Sequence, residues 1–240
     1  MDVSIIITSY NYDKYIKESI TSCLNQKTNC KFEVIIIDDG SNDDTKKILS
    51  EYSHSCRIFS IKNSGVEAAS NIGIRNAKSK YFIRLDADDS IKSTLVESLF
   101  NSIELTKSAF AYSNYDAINE DGEIIKTISL PKFNKQEIFN RGDFLASGTI
   151  FNKSIISELG GYNESFKNCG LENYELILKL ITKGHEGTFI KKNLFNYRIH
   201  SANMSLNRRT SLIDYGRVLF KNSGYGKFQT NKFHPFGLEL

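Results

Sequence analysis

"VSIIITSYNYDKYIKESITSCLNQ", residues 3–26, decides how the chain is read. Residues 3–7 are a short continuous apolar run, as in a strand buried on both faces. The stretch that follows, 14–25, places Tyr15, Ile16, Ile20 and Leu24 on one face at helical spacing. The same alternation continues outward. Residues 34–37 predict a strand, 43–52 a helix, 58–61 a strand, 67–77 a helix and 81–85 a strand. A β-α-β-α-β-α-β order predicts an α/β fold, a mostly parallel central sheet with right-handed crossovers and helices on both faces.

Composition bounds what such a chain can be. With 240 residues, 40% hydrophobic and 12% aromatic, it can bury a sizeable core. Two prolines, no low-complexity tract and no internal repeat leave little room for disordered linkers. The longest apolar runs fall far short of the roughly 20 residues that span a bilayer, and the first residues lead straight into a strand, so neither a membrane span nor a signal peptide is expected. Cys23, Cys30, Cys56 and Cys169 form no CxxC pair, which argues against a zinc site or a disulfide framework and fits a reducing cytoplasm. A net charge of +3 is too small to indicate a nucleic-acid partner. The charge is uneven, however: residues 207–240 carry six Lys/Arg against two Asp/Glu, interleaved with Tyr215, Phe220, Tyr225, Phe228, Phe233 and Phe236. Such a basic tail suits peripheral contact with an anionic membrane. The plainer reading, and the commoner outcome, is a solvated tail that packs on its own domain.

Open α/β sheets bind ligands beyond the carboxyl ends of their strands. The four segments at those ends are Thr8-Ser9-Tyr10-Asn11, Asp38-Asp39-Gly40-Ser41, Lys62-Asn63-Ser64-Gly65 and Asp86-Ala87-Asp88-Asp89. Each alone reads as a turn; Asp38-Asp39-Gly40-Ser41, for instance, suits a tight turn with Gly40 at positive φ and Ser41 capping the next helix. Four on one edge predict a ligand crevice. Neither GxxxxGK[ST] nor GxGxxG is present, so no phosphate cradle of those types explains it. Carboxylates beside a diphosphate require a divalent cation between them, and oxygen ligands suit Mg²⁺ or Mn²⁺. Asp39, one strand over, is placed to accept hydrogen bonds from a base or sugar. The combination describes a nucleotide-diphosphate donor held through a metal.

The motifs "VSIIITSYNYDKYIKESITSCLNQ", "FEVIIIDDGSNDDT", "NSGVEAASNIGIRNAKSKYFIRLDADD", "LASGTIFNKSIISELGGYNESF" and "LFNYRIHSANMS", in this order, resemble the family 2, GT-A-fold nucleotide-sugar glycosyltransferases over residues 3–204. The resemblance implies inverting transfer of a sugar from a nucleotide diphosphate, usually UDP, to an acceptor hydroxyl. It places Thr8, Tyr10 and Asp39 around the nucleobase. Asp86 and Asp88 become the DxD motif, with Asp86 near the ribose, Asp88 on the metal and Asp89 its close neighbour and substitute. His200 resembles a late histidine that approaches the metal or diphosphate, although a lone histidine at a strand end is as often structural.

Two positions depart from the family pattern. Ser70 stands where an arginine is common, and Arg75 and Arg84 are the candidates to replace that cation. Asn173, in "CGLENYELILKL", stands where the family carries the aspartate that acts as general base. An amide takes up no proton, so the adjacent Glu172 is the expected base, with Glu175 one helical turn away as the alternative. Otherwise both are the wet face of an amphipathic helix.

The resemblance also implies a single GT-A domain over 1–206, with a nucleotide-binding half (1–107) and an acceptor half (108–206), then a basic tail (207–240) with a helix near 211–221. In the acceptor half, 109–118 reads as a strand, 122–130 as part of a hairpin, 147–151 as a short inner strand and Gly160-Gly161 as a helix stop. A cytoplasmic enzyme with a basic tail, peripheral at the inner face of the membrane, fits surface polysaccharide or glycolipid synthesis on a lipid-linked acceptor. Two other readings compete. A catalytically silent sugar-nucleotide-binding protein is the stronger, given Ser70 and Asn173. A nucleotidyltransferase is the weaker, because Thr8-Ser9-Tyr10-Asn11 is neither Gly-rich nor basic.

Overall fold

The computed structural model describes residues 1–142, 147–203, 207–232, 234 and 240. Phe233 and Phe236 of the tail, and residues 145–146 and 204–205 of the quoted motifs, lie outside the described residues. The nucleotide half runs β1 (Val3–Ser9), α1 (Ile16–Leu24), β2 (Phe32–Asp38), α2 (Thr45–Glu51), β3 (Arg57–Ser60), α3 (Val66–Asn76) and β4 (Tyr81–Asp86). It closes with β5 (Ser90–Ile91) and α4 (Leu95–Thr106), and residues 108–206 follow with β6 (Phe110–Ile118), β7 (Ile124–Ile128), α5 (Lys135–Arg141), β8 (Ile150–Asn152), α6 (Lys153–Glu158), α7 (Glu172–Thr182) and β9 (Gly187–Arg198). The tail holds α8 (Arg209–Ser223).

Among the described residues these strands form one nine-stranded sheet, ordered β3-β2-β1-β4-β8-β6-β9-β5, with β7 on the flank of β6. Strands β1 to β4 pair in parallel, β8 runs antiparallel to both β4 and β6, and β6 is parallel to β9. The sheet is therefore continuous across the two halves. Every residue of β1 is buried, as a central strand covered on both faces should be. Its cover includes α1, which buries Ile16, Ser19, Ile20 and Cys23, and α3. Helix α3 lies so close to β1 that a Cβ on Gly73 would stand 2.3 Å from Ile6 Cγ2. Only glycine permits that approach.

Register positions the site. Thr8 is opposite Ile37 on one side and Asp86 on the other, and Ser9 is opposite Asp38. The polar segments that end β1, β2 and β4 thus open on one edge.

Some local expectations are corrected. Ser41 does not cap α2: its hydroxyl accepts the Asn11 N–H at 2.9 Å, while Asp43 Oδ1 accepts the Thr45 N–H at 3.0 Å at the helix start. Gly40 does take positive φ, at 83°. The inner strand begins at Ile150, three residues late, because Ser147 and Gly148 are drawn to β4: the Gly148 N–H donates to the Arg84 carbonyl and the Asp86 N–H to Ser147 Oγ, each at 2.9 Å.

In the tail, Tyr215, Phe220 and Phe228 are buried, and the Phe220 ring stacks on Tyr174 with centroids 6.2 Å apart. A Cβ on Gly216 would meet the Phe228 ring at 2.4 Å. The tail's described aromatics thus serve the core of its own domain and not an apolar membrane face. No helix among the described residues is long and apolar enough to cross a membrane.

Candidate active site

The edge formed by β1, β2 and β4 opens on a cavity of about 600 Å³, lined further by Asn168, Gly170, Glu172, Asn173, Tyr174, Ala202, Asn203, Asn207 and Arg208. Thr8, Tyr10, Asp39, Asp86, Asp88 and Glu172 all line it. Asp89 and His200 do not.

At the β2 end, Asp39 Oδ1 accepts the Ser64 N–H at 2.6 Å and Oδ2 accepts the Gly65 N–H at 2.8 Å. The carboxylate thereby fixes the turn that starts α3, and each oxygen keeps a lone pair for a ligand. The neighbouring Asp38 turns inward and accepts the Ser41 N–H at 3.0 Å. Thr8 Oγ1 and Ser9 Oγ are buried with no partner among the described residues, and both residues line the cavity. Buried hydroxyls without a partner are uncommon in folded proteins and mark a place where a ligand or water completes the bonding. Tyr10 is the exposed rim residue beside them.

At the β4 end, Arg84 is buried and holds two carboxylates. One is Asp86, two residues along the strand; the other is Glu172 at the start of α7, whose Oε1 accepts from Nη1 at 2.9 Å. Burial disfavours the guanidinium charge, but Asp86 and Glu172 outweigh it and raise its pKa further. Asp86 is pushed up to about 6, by burial first, with Asp88 and Glu172 adding to the rise and Arg84 pulling back. Glu172 Oε2 is buried and has no hydrogen-bond partner among the described residues.

Of the two candidate cations Arg75 and Arg84, Arg84 lines the cavity. Arg75 is an exposed residue whose nearest carboxylate, Glu164, is 3.9 Å away, and it does not line the cavity. Ser70 lies outside the cavity too, its hydroxyl donating to the Val66 carbonyl at 2.6 Å. Glu175 does not line the cavity: its carboxylate is taken by Tyr215, by Asn163 at 3.1 Å and by Lys179 at 3.3 Å, on the side facing α8. Asn173 lines the cavity and accepts the Tyr162 hydroxyl at 3.0 Å.

The residues expected to form the metal cluster divide. Asp88 Oδ2 and His200 Nε2 are 2.9 Å apart, with Asn203 Nδ2 at 3.5 Å from the same oxygen. The Ala202 N–H donates to His200 Nδ1 at 3.3 Å, which leaves the ring proton on Nε2, facing Asp88. Asp89 does not join this group: it points away from the cavity, Oδ1 accepting the Arg198 N–H at 3.0 Å. Burial, Asp88 and Asp86 hold its carboxyl well above the ordinary range. A carboxylate at a cavity wall backed by imidazole is a donor set that suits Mn²⁺ or Mg²⁺. Three ligand-type side chains within 4.8 Å of one another occur instead at Glu67, Cys169 and Glu172. Glu67 there is structural, its oxygens accepting the Asn168 and Cys169 N–H groups at 2.9 Å each.

Several residues that matter here were not singled out by the sequence. Arg198 is buried, donates from Nε to the Asp88 carbonyl at 2.9 Å and lies 4.9 Å from the Tyr15 ring centroid. Asn203 accepts the His200 N–H at 2.6 Å and donates to the Arg198 carbonyl at 3.1 Å. Both lie inside "LFNYRIHSANMS", and the only signal was an arginine closing an apolar strand. Tyr12 lines the cavity, its hydroxyl pKa pushed upward by burial and then by Asp88, Asp86 and Asp89.

Comparison with known proteins agrees with this geometry. The profile of the family described as Glycosyl transferase family 2 matches residues 4–159. An Escherichia coli protein, the UDP-Glc:alpha-D-GlcNAc-diphosphoundecaprenol beta-1,3-glucosyltransferase WfaP, is 35% identical over 90% of this chain and 85% of its own length. Chondroitin synthase of Escherichia coli is 32% identical over 86% of this chain, which spans 30% of that longer protein. Among solved structures, Staphylococcus aureus TarS 1–349 in complex with UDP-GlcNAc superposes with a TM-score of 0.73 at 17% identity, covering 91% of this chain and 65% of that one. The last likeness shows a shared GT-A fold. The chain belongs to glycosyl transferase family 2.

Removing the buried cation provides a test of the site's electrostatics. Arg84→Met leaves the buried Glu172 and the half-buried Asp86 without a counter-charge, which should cost about 3 kcal/mol of unfolding free energy near pH 8. The folded pKa of Asp86 already lies above that of an unfolded aspartate, and losing Arg84 raises it further. The native state of the variant therefore takes up protons as pH falls, and the deficit should shrink toward pH 5. Urea titrations at the two pH values measure this, and a deficit equal at both contradicts the assignment.

Proposed function

We propose that the chain is an inverting glycosyltransferase that moves a sugar from a nucleotide diphosphate, a UDP-sugar, to a hydroxyl of a glycan or lipid-linked acceptor in surface polysaccharide or glycolipid synthesis. The observation that carries the reading is the unpartnered Glu172 Oε2, held by Arg84 at the wall of the cavity that Thr8, Asp39 and Asp88 also line. Family membership supports the reaction class. WfaP, by name, uses UDP-Glc and a diphosphoundecaprenol-linked sugar, which supports the donor and acceptor classes.

In this reading Thr8, Tyr10 and Asp39 take the nucleobase and ribose, with Asp86 beside them. Asp88 would hold a divalent cation, Mn²⁺ or Mg²⁺, and when bound the cation supplies charge to the departing diphosphate. His200 supports that carboxylate from behind, as outer-shell partners of metal ligands do. Glu172 Oε2 receives the proton of the acceptor hydroxyl as its oxygen bonds to the anomeric carbon and the bond to the diphosphate oxygen breaks on the opposite face. Arg84 keeps Oε1 fixed, so the proton goes to Oε2. Ser70 itself lies outside the cavity.

Glu172→Gln preserves shape and removes the base. Turnover should fall about a hundredfold to ten-thousandfold while UDP affinity holds. A variant that keeps full turnover contradicts the role of Glu172, and a wild-type protein that binds UDP-sugars but releases no UDP with any acceptor favours the silent binder.

Localisation follows the acceptor: cytoplasmic, peripheral at the membrane. With the described tail aromatics buried, that contact rests on charge, with Arg217 and Lys221 on the exposed side of α8. Co-sedimentation with phosphatidylserine vesicles should fall steeply between low and physiological salt. Binding that ignores salt contradicts it.

A further inference from the structure

Of the charged residues that line the cavity, four are acids, Asp39, Asp86, Asp88 and Glu172, and two are cations, Arg84 and Arg208. Arg84 is buried and shared between two of those acids, so its charge is already matched. Arg208 is different. It is exposed, immediately precedes α8, and its side chain's one hydrogen bond among the described residues runs from Nη1 to the Asn168 carbonyl at 3.2 Å. A guanidinium has five N–H donors, and a neutral carbonyl matches none of its charge.

The position of Arg208 is tied to the nucleotide end. Asn168 Oδ1 accepts the Val66 N–H at 3.0 Å at the start of α3, next to the Ser64–Gly65 turn that Asp39 fixes. The residue that anchors the Arg208 guanidinium therefore also caps the helix that faces the proposed nucleotide. A planar fork of N–H donors suits the oxygens of a phosphate better than any other ligand group.

Resting on the glycosyltransferase reading above, we infer that Arg208 is the cation that grips a diphosphate in this cavity, and so takes over from the C-terminal side the charge that family members place at the position of Ser70. The diphosphate belongs either to the nucleotide donor or to a lipid-diphosphate acceptor, two sources with one chemistry.

Arg208→Ala and Arg208→Lys, compared with wild type by calorimetry against UDP, UMP and uridine, test this, together with the KM for a lipid-diphosphate-linked sugar and for the same sugar without the diphosphate. Because the side chain is exposed, both variants should keep the wild-type melting temperature. A donor role predicts that Arg208→Ala weakens UDP about tenfold to a hundredfold, leaves uridine unchanged and is partly rescued by lysine. An acceptor role predicts unchanged UDP affinity and a KM raised only for the diphosphate-bearing acceptor. Equal weakening of uridine and UDP, or no change in any arm, overturns the inference. If wild type itself binds no UDP, the failure lies with the underlying functional reading and not with Arg208.

Discussion

The bridge from Asp86 through Arg84 to Glu172 is the interaction on which the rest of the site depends. It joins β4, the strand that carries the acidic motif, to the first turn of α7, which belongs to the acceptor half. Buried ion pairs gain little net stability over apolar packing, yet breaking one is costly because a charge is left in a poor solvent. Such a bridge fixes geometry more than it stabilises. Here the geometry consists of one Glu172 oxygen held by Arg84 and one buried oxygen without a partner among the described residues, on a residue that lines the same cavity as Asp88. Arg84 thereby fixes the orientation of the Glu172 carboxylate, the feature on which its proposed role as base rests.

A second network holds the Asp88 end. Arg198 donates to the Asp88 carbonyl, Asp89 accepts the Arg198 N–H, and Asn203 ties the Arg198 carbonyl to the His200 N–H. Consecutive acids thus have opposite duties: Asp88 faces the cavity and Asp89 locks β9 to the loop behind it. One buried arginine serves each network, Arg84 from β4 and Arg198 from β9, and both belong to the continuous sheet.

Much of this was legible in the sequence. The alternation of periods gave each strand and helix of the first 86 residues within two residues or so, because central parallel strands are apolar runs and their crossover helices are amphipathic, while the short β5 and the helix α4 that follow were not read from the sequence. The cavity followed from topology, since parallel strands necessarily end on one side. What stayed hidden were directions. Whether Asp88 or Asp89 faces the cavity depends on backbone path in a turn, where no period applies. Whether Ser41 caps α2 or holds Asn11 depends on a loop 30 residues away in sequence. Arg84 interrupts an apolar strand, and composition alone did not say that its partners would be Asp86 and a helix start 88 residues on. The tail's basic and aromatic pattern suited a membrane as well as a core, and only the packing of Phe220 and Phe228 around Tyr174 decided for the core.

The most direct measurement is a crystal structure of the protein with UDP and Mn²⁺. The account predicts the uracil and ribose between Thr8 and Asp39, the ion on Asp88 beside the diphosphate, and Glu172 still clamped by Arg84 with Oε2 open to the acceptor side. A nucleotide seated elsewhere, or an Arg84 that has released Glu172 to bind phosphate, would contradict it.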